Sequence, residues 1–394
     1  MDHGLSSRGR EAIKPDDNMM LWTILRDLWD PKSNTTGYVS LGVAENSLMH
    51  ERLSEHIHKN LALPNHSLTY GDGMTGSKRL KASLARFMMD RFNPASTIQP
   101  EHVTITNGCS SALEHLAWAL GNPGDGFLLG QPHYGNYYPD VEYRMGCKIV
   151  QVPFDDVDPL ELAPCRIIIE LMRVCQKYDM HLISDENYAL SVWQNNIDSH
   201  PPPVPFESCL FINMDGIMDA HRLHILWGMS KDFGANGIRL GALVSQHNPS
   251  LHSALTPVAI YSSPSSISDH VTANMLDDRE WVDGYIEENR RKLQEHYEVI
   301  VSWAKENAIP YAPGNNAAFF VWVDLGKAYC ERHPGRDMED ISEHVMRFLL
   351  DQKVFLACGK QFGSEQPGWL RIVFSVDKEL LGKGLSRIVA ALDG

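Results

Sequence analysis

The sequence predicts an α/β fold, with a large domain on a mostly parallel sheet and a smaller α+β domain. Three observations predict it. Six short apolar runs, 102–108, 126–132, 147–154, 181–186, 221–230 and 240–245, have the length of buried strands. Helical patterns lie between them. Residues 110–121 put Leu113, Leu116, Ala117 and Leu120 on one stripe, and 166–179 do the same with Ile168, Leu171, Met172 and Cys175. The last third then changes character. A long helical pattern runs from Asp278 to about Ala308, and 317–325 and 369–376 read as strands of a second unit. Strands alternating with helices imply a parallel sheet covered on both faces. The expected division is a large domain over 66–265, with 1–65 and 266–394 forming an N-terminal arm and the small domain. Four prolines within 198–205 read as a surface loop, followed by a strand over 209–214.

Composition narrows the function classes. A net charge of −15 argues against a nucleic-acid or anionic-membrane partner. The seven cysteines are scattered and show no metal-ligand spacing, so free thiols in a reducing compartment are expected. The polar N-terminal stretch lacks an apolar signal core, and no apolar run reaches the length of a membrane span. A cytoplasmic protein is the simplest expectation.

In α/β sheets ligands sit beyond the carboxyl ends of the strands. The residues there are Asn107 to Ser111, His133 and Tyr134, Asp185 to Tyr188, and Ser230 with Lys231. Lys231 is either a solvated lysine or a desolvated amine able to form a Schiff base with an aldehyde. Gly108, Cys109, Ser110 and Ser111 open a helix. Ser110 caps it, or the amides there hold a phosphate. Asp185 either caps the next element or pairs with a protonated ring nitrogen. Tyr134 packs a loop or stacks on a flat ring. Arg371, inside an apolar strand, needs an internal acid or a ligand carboxylate. Together these are the groups that pyridoxal phosphate and an amino-acid substrate require.

The order of these motifs resembles fold-type I pyridoxal-phosphate enzymes of the class I/II aminotransferase superfamily, in the 1-aminocyclopropane-1-carboxylate synthase-like branch. The likeness is carried by 38–53, 68–88, 122–134, 175–193, 229–245 and 367–374. It implies pyridoxal 5'-phosphate as cofactor, held on Lys231, which would also transfer the substrate proton. Asp185 would pair with the ring nitrogen, Tyr188 would bond the ring hydroxyl and Tyr134 would stack on the ring. Cys109, Ser110 and Arg239 would bind the phosphate, and the small Ser230 would let the cofactor approach. Tyr70 would reach the partner's phosphate, implying a homodimer with shared active sites. Arg371 would take the substrate carboxylate, and Glu45 would lie near the substrate side chain. No metal is implied.

The phrasing of 41–57 and 230–245 is most similar to fungal enzymes of sulfur-bridged dioxopiperazine toxin clusters. This implies an aminotransferase or a carbon–sulfur β-lyase of secondary metabolism. The alternatives are elimination on S-adenosylmethionine by a synthase, and an impaired scaffold relative. Two departures bear on that last alternative. Gly228 stands where the family carries a serine. No Asn-Pro occurs between Tyr134 and Asp185, so one interior strand segment of the family is expected to be missing.

Overall fold

The computed structural model describes residues 4–12, 17–153, 164–335 and 340–394. Its strands in chain order are β1 (Val39–Ser40), β2 (Val103–Thr106), β3 (Gly126–Gly130), β4 (Lys148–Val152), β5 (Leu182–Asp185) and β6 (Leu223–Gly228). These are followed by β7 (Gly241–Val244), β8 (Phe320–Asp324), β9 (Val354–Phe355), β10 (Ala357–Cys358) and β11 (Trp369–Val373).

The central sheet has the order β2-β7-β6-β5. Strands β2, β6 and β5 run one way, and β7 opposes both of its neighbours. Every residue of β6 is buried, because helices cover both faces. The two-residue side-chain period sorts its apolar residues between them. Ile225 and Trp227 join a core with the helices Lys78–Phe92 and Ser266–Asp277. Leu226 turns to the opposite core, under the helix Cys109–Leu120. In β7, Ala242 and Val244 take the first face and Leu243 the second.

A further core gathers β1, β8 and β11 with the helices Ile341–Asp351 and Lys378–Asp393. Strands β10, β11 and β8 form an antiparallel sheet. The 28-residue helix Arg279–Glu306 belongs to both cores, through Val282, Tyr285 and Ile286 first and Leu293, Tyr297 and Ile300 later. Asp278 caps it by accepting from Trp281 N at 3.2 Å. Among the described residues no helix is long and apolar enough to cross a membrane.

Three expectations need correction. Strand β7 is antiparallel, not parallel. Strands β3 and β4 are not buried: among the described residues they pair only with each other, leaving Leu128, Val150 and Val152 about half exposed. The stretch 209–214 forms no strand, since Ser208 caps a single 3-10 turn at Cys209–Phe211. The expected omission lies between β4 and β5 in sequence, and there the sheet divides. Among the described residues β3 and β4 stand apart, while β5 is an edge strand with a half-exposed face. Most of the connecting stretch, 154–163, lies outside the described residues. The proline loop over 198–205 is irregular, as expected.

Inside β6 the ring of His224 is fully buried, 3.0 Å from Ser245 Oγ and 2.9 Å from His181 Nδ1. Burial, with the neighbouring His181, His252 and His221, pushes its pKa down to about 3. The unfolded chain therefore binds more protons than the folded one once pH drops below the ordinary histidine range. Stability is expected to fall as pH falls from 7 toward 4 in urea unfolding. His224→Gln should flatten that slope by up to about 1.4 kcal/mol per pH unit.

Candidate active site

Two chain turns at the carboxyl ends of β5 and β6 build the floor of the cleft. Asp232, directly after Lys231, is fully buried between them. Its carboxylate accepts from Ser191 Oγ at 2.7 Å, Trp227 Nε1 at 3.0 Å and Leu190 N at 3.1 Å. The turn carrying Tyr188 is thus fixed to the turn carrying Lys231. The long helix grips both, since Tyr285 donates to Phe233 O at 2.7 Å and Arg290 Nε to Leu190 O at 2.8 Å.

Lys231 Nζ donates to Ala44 O at 2.7 Å and lies 5.9 Å above the Tyr188 ring. Burial and then the Arg371 charge lower its pKa to about 8, against the pull of Asp185 and Glu45. Asp185 ends β5. Its carboxylate accepts from Tyr137 OH at 2.8 Å and from Asn187 Nδ2 at 2.6 Å. Tyr188 meets Phe319 edge-on at 5.2 Å, and burial raises its phenol pKa. Tyr134 is 41% exposed and stands edge-on to Tyr137 at 5.5 Å. Ser230 is half-buried beside Lys231.

The turn after β2 starts a helix at Cys109, and Gly108 before it has φ 86°. A side chain at Gly108 would collide with the Arg239 guanidinium, so glycine lets that cation lie over the helix N-terminus. Ser110 is exposed there. Arg239 itself is held in the left-handed region, φ 54°, with Nη1 donating to Asn236 O at 2.9 Å. Cys109 Sγ donates to Asn187 Oδ1 at 3.2 Å, and burial, followed by the Asp185 charge, pushes its thiol up to about 12. It is a filler and a weak donor, not a nucleophile.

Arg371 lies at the other end. Its guanidinium is sandwiched between the rings of Phe320 and Phe362, at 4.7 and 4.5 Å. Nη2 donates to Gly42 O at 2.9 Å, while the buried Nε has no partner. An arginine buried with a spare donor awaits an acceptor, and a carboxylate matches its fork. Glu45 is exposed at the rim, accepting from Asn236 Nδ2 at 2.6 Å. Tyr70 lies on the surface, 85% exposed.

Lys231, Asp185, Tyr188, Tyr134, Cys109, Ser110, Ser230, Arg239, Arg371 and Glu45 are therefore brought into one region, while Tyr70, expected to serve a partner's site, is on the surface. Tyr137, Phe320 and Phe362 join them without having been foreseen, and Asn187, within the stretch 185–188, joins in a part the sequence did not assign. Tyr137 and Asn187 each follow a foreseen residue, by three positions and by two. The donor set matches pyridoxal phosphate: an amine, an acid, a stacking ring, and a cradle of helix amides beside an arginine.

The chain matches the profile of the family described as aminotransferase class I and II over residues 36–163 and 161–388. It is 27% identical to the 1-aminocyclopropane-1-carboxylate synthase-like protein 1 of Mus musculus, covering 99% of this chain and 83% of the relative. That alignment runs to 441 positions, more than the 394 residues of this chain. Probable aminotransferase sirI of Leptosphaeria maculans is 27% identical, covering 94% of this chain and 95% of the relative. A Homo sapiens relative is named probable inactive 1-aminocyclopropane-1-carboxylate synthase-like protein 2, at 27% identity over 93% of this chain and 69% of its own. Among solved structures, Thermus thermophilus aspartate aminotransferase with maleate superposes with a TM-score of 0.75 at 20% identity, covering 99% and 100% of the two chains.

Gly228 lies against Cys109. A Cβ there would stand 2.9 Å from Cys109 Sγ and 2.8 Å from Leu240 O. Gly228→Ser is expected to weaken binding of pyridoxal phosphate, measured by equilibrium dialysis. Adding Cys109→Ala should recover part of the loss, a coupling of about 0.5–3 kcal/mol in a double-mutant cycle.

Proposed function

Since this chain belongs to the class I and II aminotransferase family, whose cofactor is pyridoxal 5'-phosphate, we propose that the cleft activates the Cα of an amino-acid-like substrate. The reaction is amino transfer or carbon–sulfur β-elimination in fungal secondary metabolism, including toxin formation. The observation that carries this reading is the unpartnered Nε of buried Arg371, in one cleft with Lys231 and Asp185. The likeness to sirI supports its fungal setting.

Lys231 would hold the cofactor, with Asp185 facing its ring nitrogen, Tyr134 covering the ring and Tyr188 at the ring hydroxyl. Cys109, Ser110 and Arg239 would cradle the phosphate. Bound there, the cofactor supplies an electron sink for charge at Cα. This chain's residues do the rest. Arg371 orients the substrate through its carboxylate. Lys231 Nζ takes the Cα proton, and its lowered pKa suits a group that accepts and returns protons near neutrality. Asp185 stays placed by Tyr137 and Asn187. Glu45, at the rim, meets the substrate side chain.

A second copy of the chain would cover the face bearing Leu68, Tyr70, Tyr261 and Ile267, which are 50% to 85% exposed. Tyr70 would then reach the partner's phosphate, giving a homodimer with shared sites. A second reading, an impaired relative that keeps the scaffold, is favoured by the divided sheet between β4 and β5.

Borohydride treatment of protein mixed with pyridoxal phosphate is expected to fix a pyridoxyl group on the Lys231 peptide, read by mass. Capture should speed up as pH rises through about 8, because only the neutral amine attacks. No capture in the wild type would leave the scaffold reading standing. Cysteine conjugates are expected to yield either free thiol or a keto acid that retains the thioether, which separates elimination from transfer. Arg371→Gln should raise KM by about a hundredfold for either product, since charge-assisted pairs of this kind are worth roughly 2–3 kcal/mol.

A further inference from the structure

The loop that leaves β3 is bonded to the 3-10 turn Gly359–Phe362 and to Gly363 behind it. Gln131 Nε2 donates to Gly363 O at 3.0 Å and to Gln151 Oε1, on β4, at 2.9 Å. His133 N donates to Phe362 O at 2.8 Å. A Cβ on Gly135 would stand 2.4 Å from Gln361 O. The residues on both sides of Tyr134 thus touch one turn. That turn carries Phe362, whose ring lies 4.5 Å from the Arg371 guanidinium. Gln151 Nε2 completes the group, donating to Tyr138 OH at 2.6 Å and lying 3.1 Å from His133 Nε2. Gly363 has φ 72°, and a Cβ there would stand 3.0 Å from Gln151 Nε2, so glycine leaves room for the amide pair. Among the described residues β3 and β4 have no other strand partner, so no ladder fixes where this loop points. Two side-chain ties do. Tyr137 bonds Asp185 at 2.8 Å, on the cofactor side. Gln131 bonds the turn of Phe362, on the carboxylate side.

We propose that Gln131 is a positioning residue that sets the separation between the ring of Tyr134 and the guanidinium of Arg371. This rests on the reading of Tyr134 as the cover of the cofactor ring and of Arg371 as the holder of the substrate carboxylate. Gln131 acts through its neighbours and touches neither ligand. Its amide nitrogen gives one hydrogen to β4 and the other to the turn, so a single planar group spans the two pieces. A substrate joined to the cofactor needs both walls at once, with its ring under Tyr134 and its carboxylate at Arg371. A ligand without a carboxylate needs only the first wall, and the bond from Tyr137 to Asp185 still holds the loop there. Loss of the Gln131 tie therefore weakens the first kind of ligand and spares the second.

The test compares two stable amines, N-(5'-phosphopyridoxyl)-L-alanine and pyridoxamine 5'-phosphate, of which only the first carries a carboxylate. Neither has an aldehyde, so Lys231 forms no bond to them. Affinities are measured by equilibrium dialysis. The wild type is expected to prefer the alanine adduct, and Arg371→Gln to lose that preference. Gln131→Glu keeps the size of the side chain but cannot donate to Gly363 O. It is expected to lower the preference about five- to tenfold, with pyridoxamine 5'-phosphate affinity held within about twofold. Gln131→Ala should do the same, and serves if the glutamate variant does not fold. Gln151→Glu adds the same charge one strand away but still accepts from Gln131, so it should keep the wild-type preference. An unchanged preference in both Gln131 variants would overturn the proposal. So would an equal weakening of both probes, or a loss in Gln151→Glu as large as in Gln131→Glu. If wild type and Arg371→Gln already bind the two probes alike, the carboxylate reading of Arg371 falls and this inference with it.

Discussion

The carboxylate of Asp232 is the interaction on which the cleft depends. It sits in the core with no exposed surface to speak of, and three donors from two separate chain segments converge on it. Burial raises its pKa to about 7, because the surrounding core resists a charge there. Strands β5 and β6 are parallel neighbours, yet their exit turns are short and irregular, and nothing in a β ladder fixes where such turns point. Asp232 supplies that fixing. Once it holds Leu190 and Ser191, the amine of Lys231 lies above the Tyr188 ring and within the field of Asp185.

Much of this was legible in the chain because the governing signals are local. The helix Cys109–Leu120 follows from its apolar stripe, and the long helix from a pattern that starts at its Asp278 cap. The residues lining the cleft follow strand ends, which is where side chains leave the packed layers. What the chain did not disclose depends on partners far away in sequence. Strands β3 and β4 read as buried because Phe127, Leu128, Ile149 and Val150 are apolar. Burial also needs a neighbouring strand, and among the described residues β3 has only β4. Residues 209–214 have strand-like composition, but the hydroxyl of Ser208 and the carboxylate of Glu186 claim the amides of Leu210 and Cys209. The aromatic sandwich around Arg371 joins residues 320, 362 and 371, and no sequence period links them.

The division of the sheet has its own cost. An edge strand presents backbone donors and acceptors that water must satisfy, and β5 does so next to the acid of the cleft. Asp185 compensates through near neighbours: Asn187 bonds it from within the same turn, and Tyr137 reaches it from the loop after β3. These two contacts restore to the acid some of the fixity that a flanking strand would have lent.

The helix Arg279–Glu306 spans about 42 Å at 1.5 Å per residue. Near its start it is bonded to the backbone beside Lys231, and further along it is embedded in the core that includes the strand of Arg371. It therefore works as a gauge bar between an amine and a guanidinium that belong to different layers of the molecule. On the reading proposed above, the separation between the group that takes the carboxylate and the group that takes the proton is set by a stiff rod and not by loops.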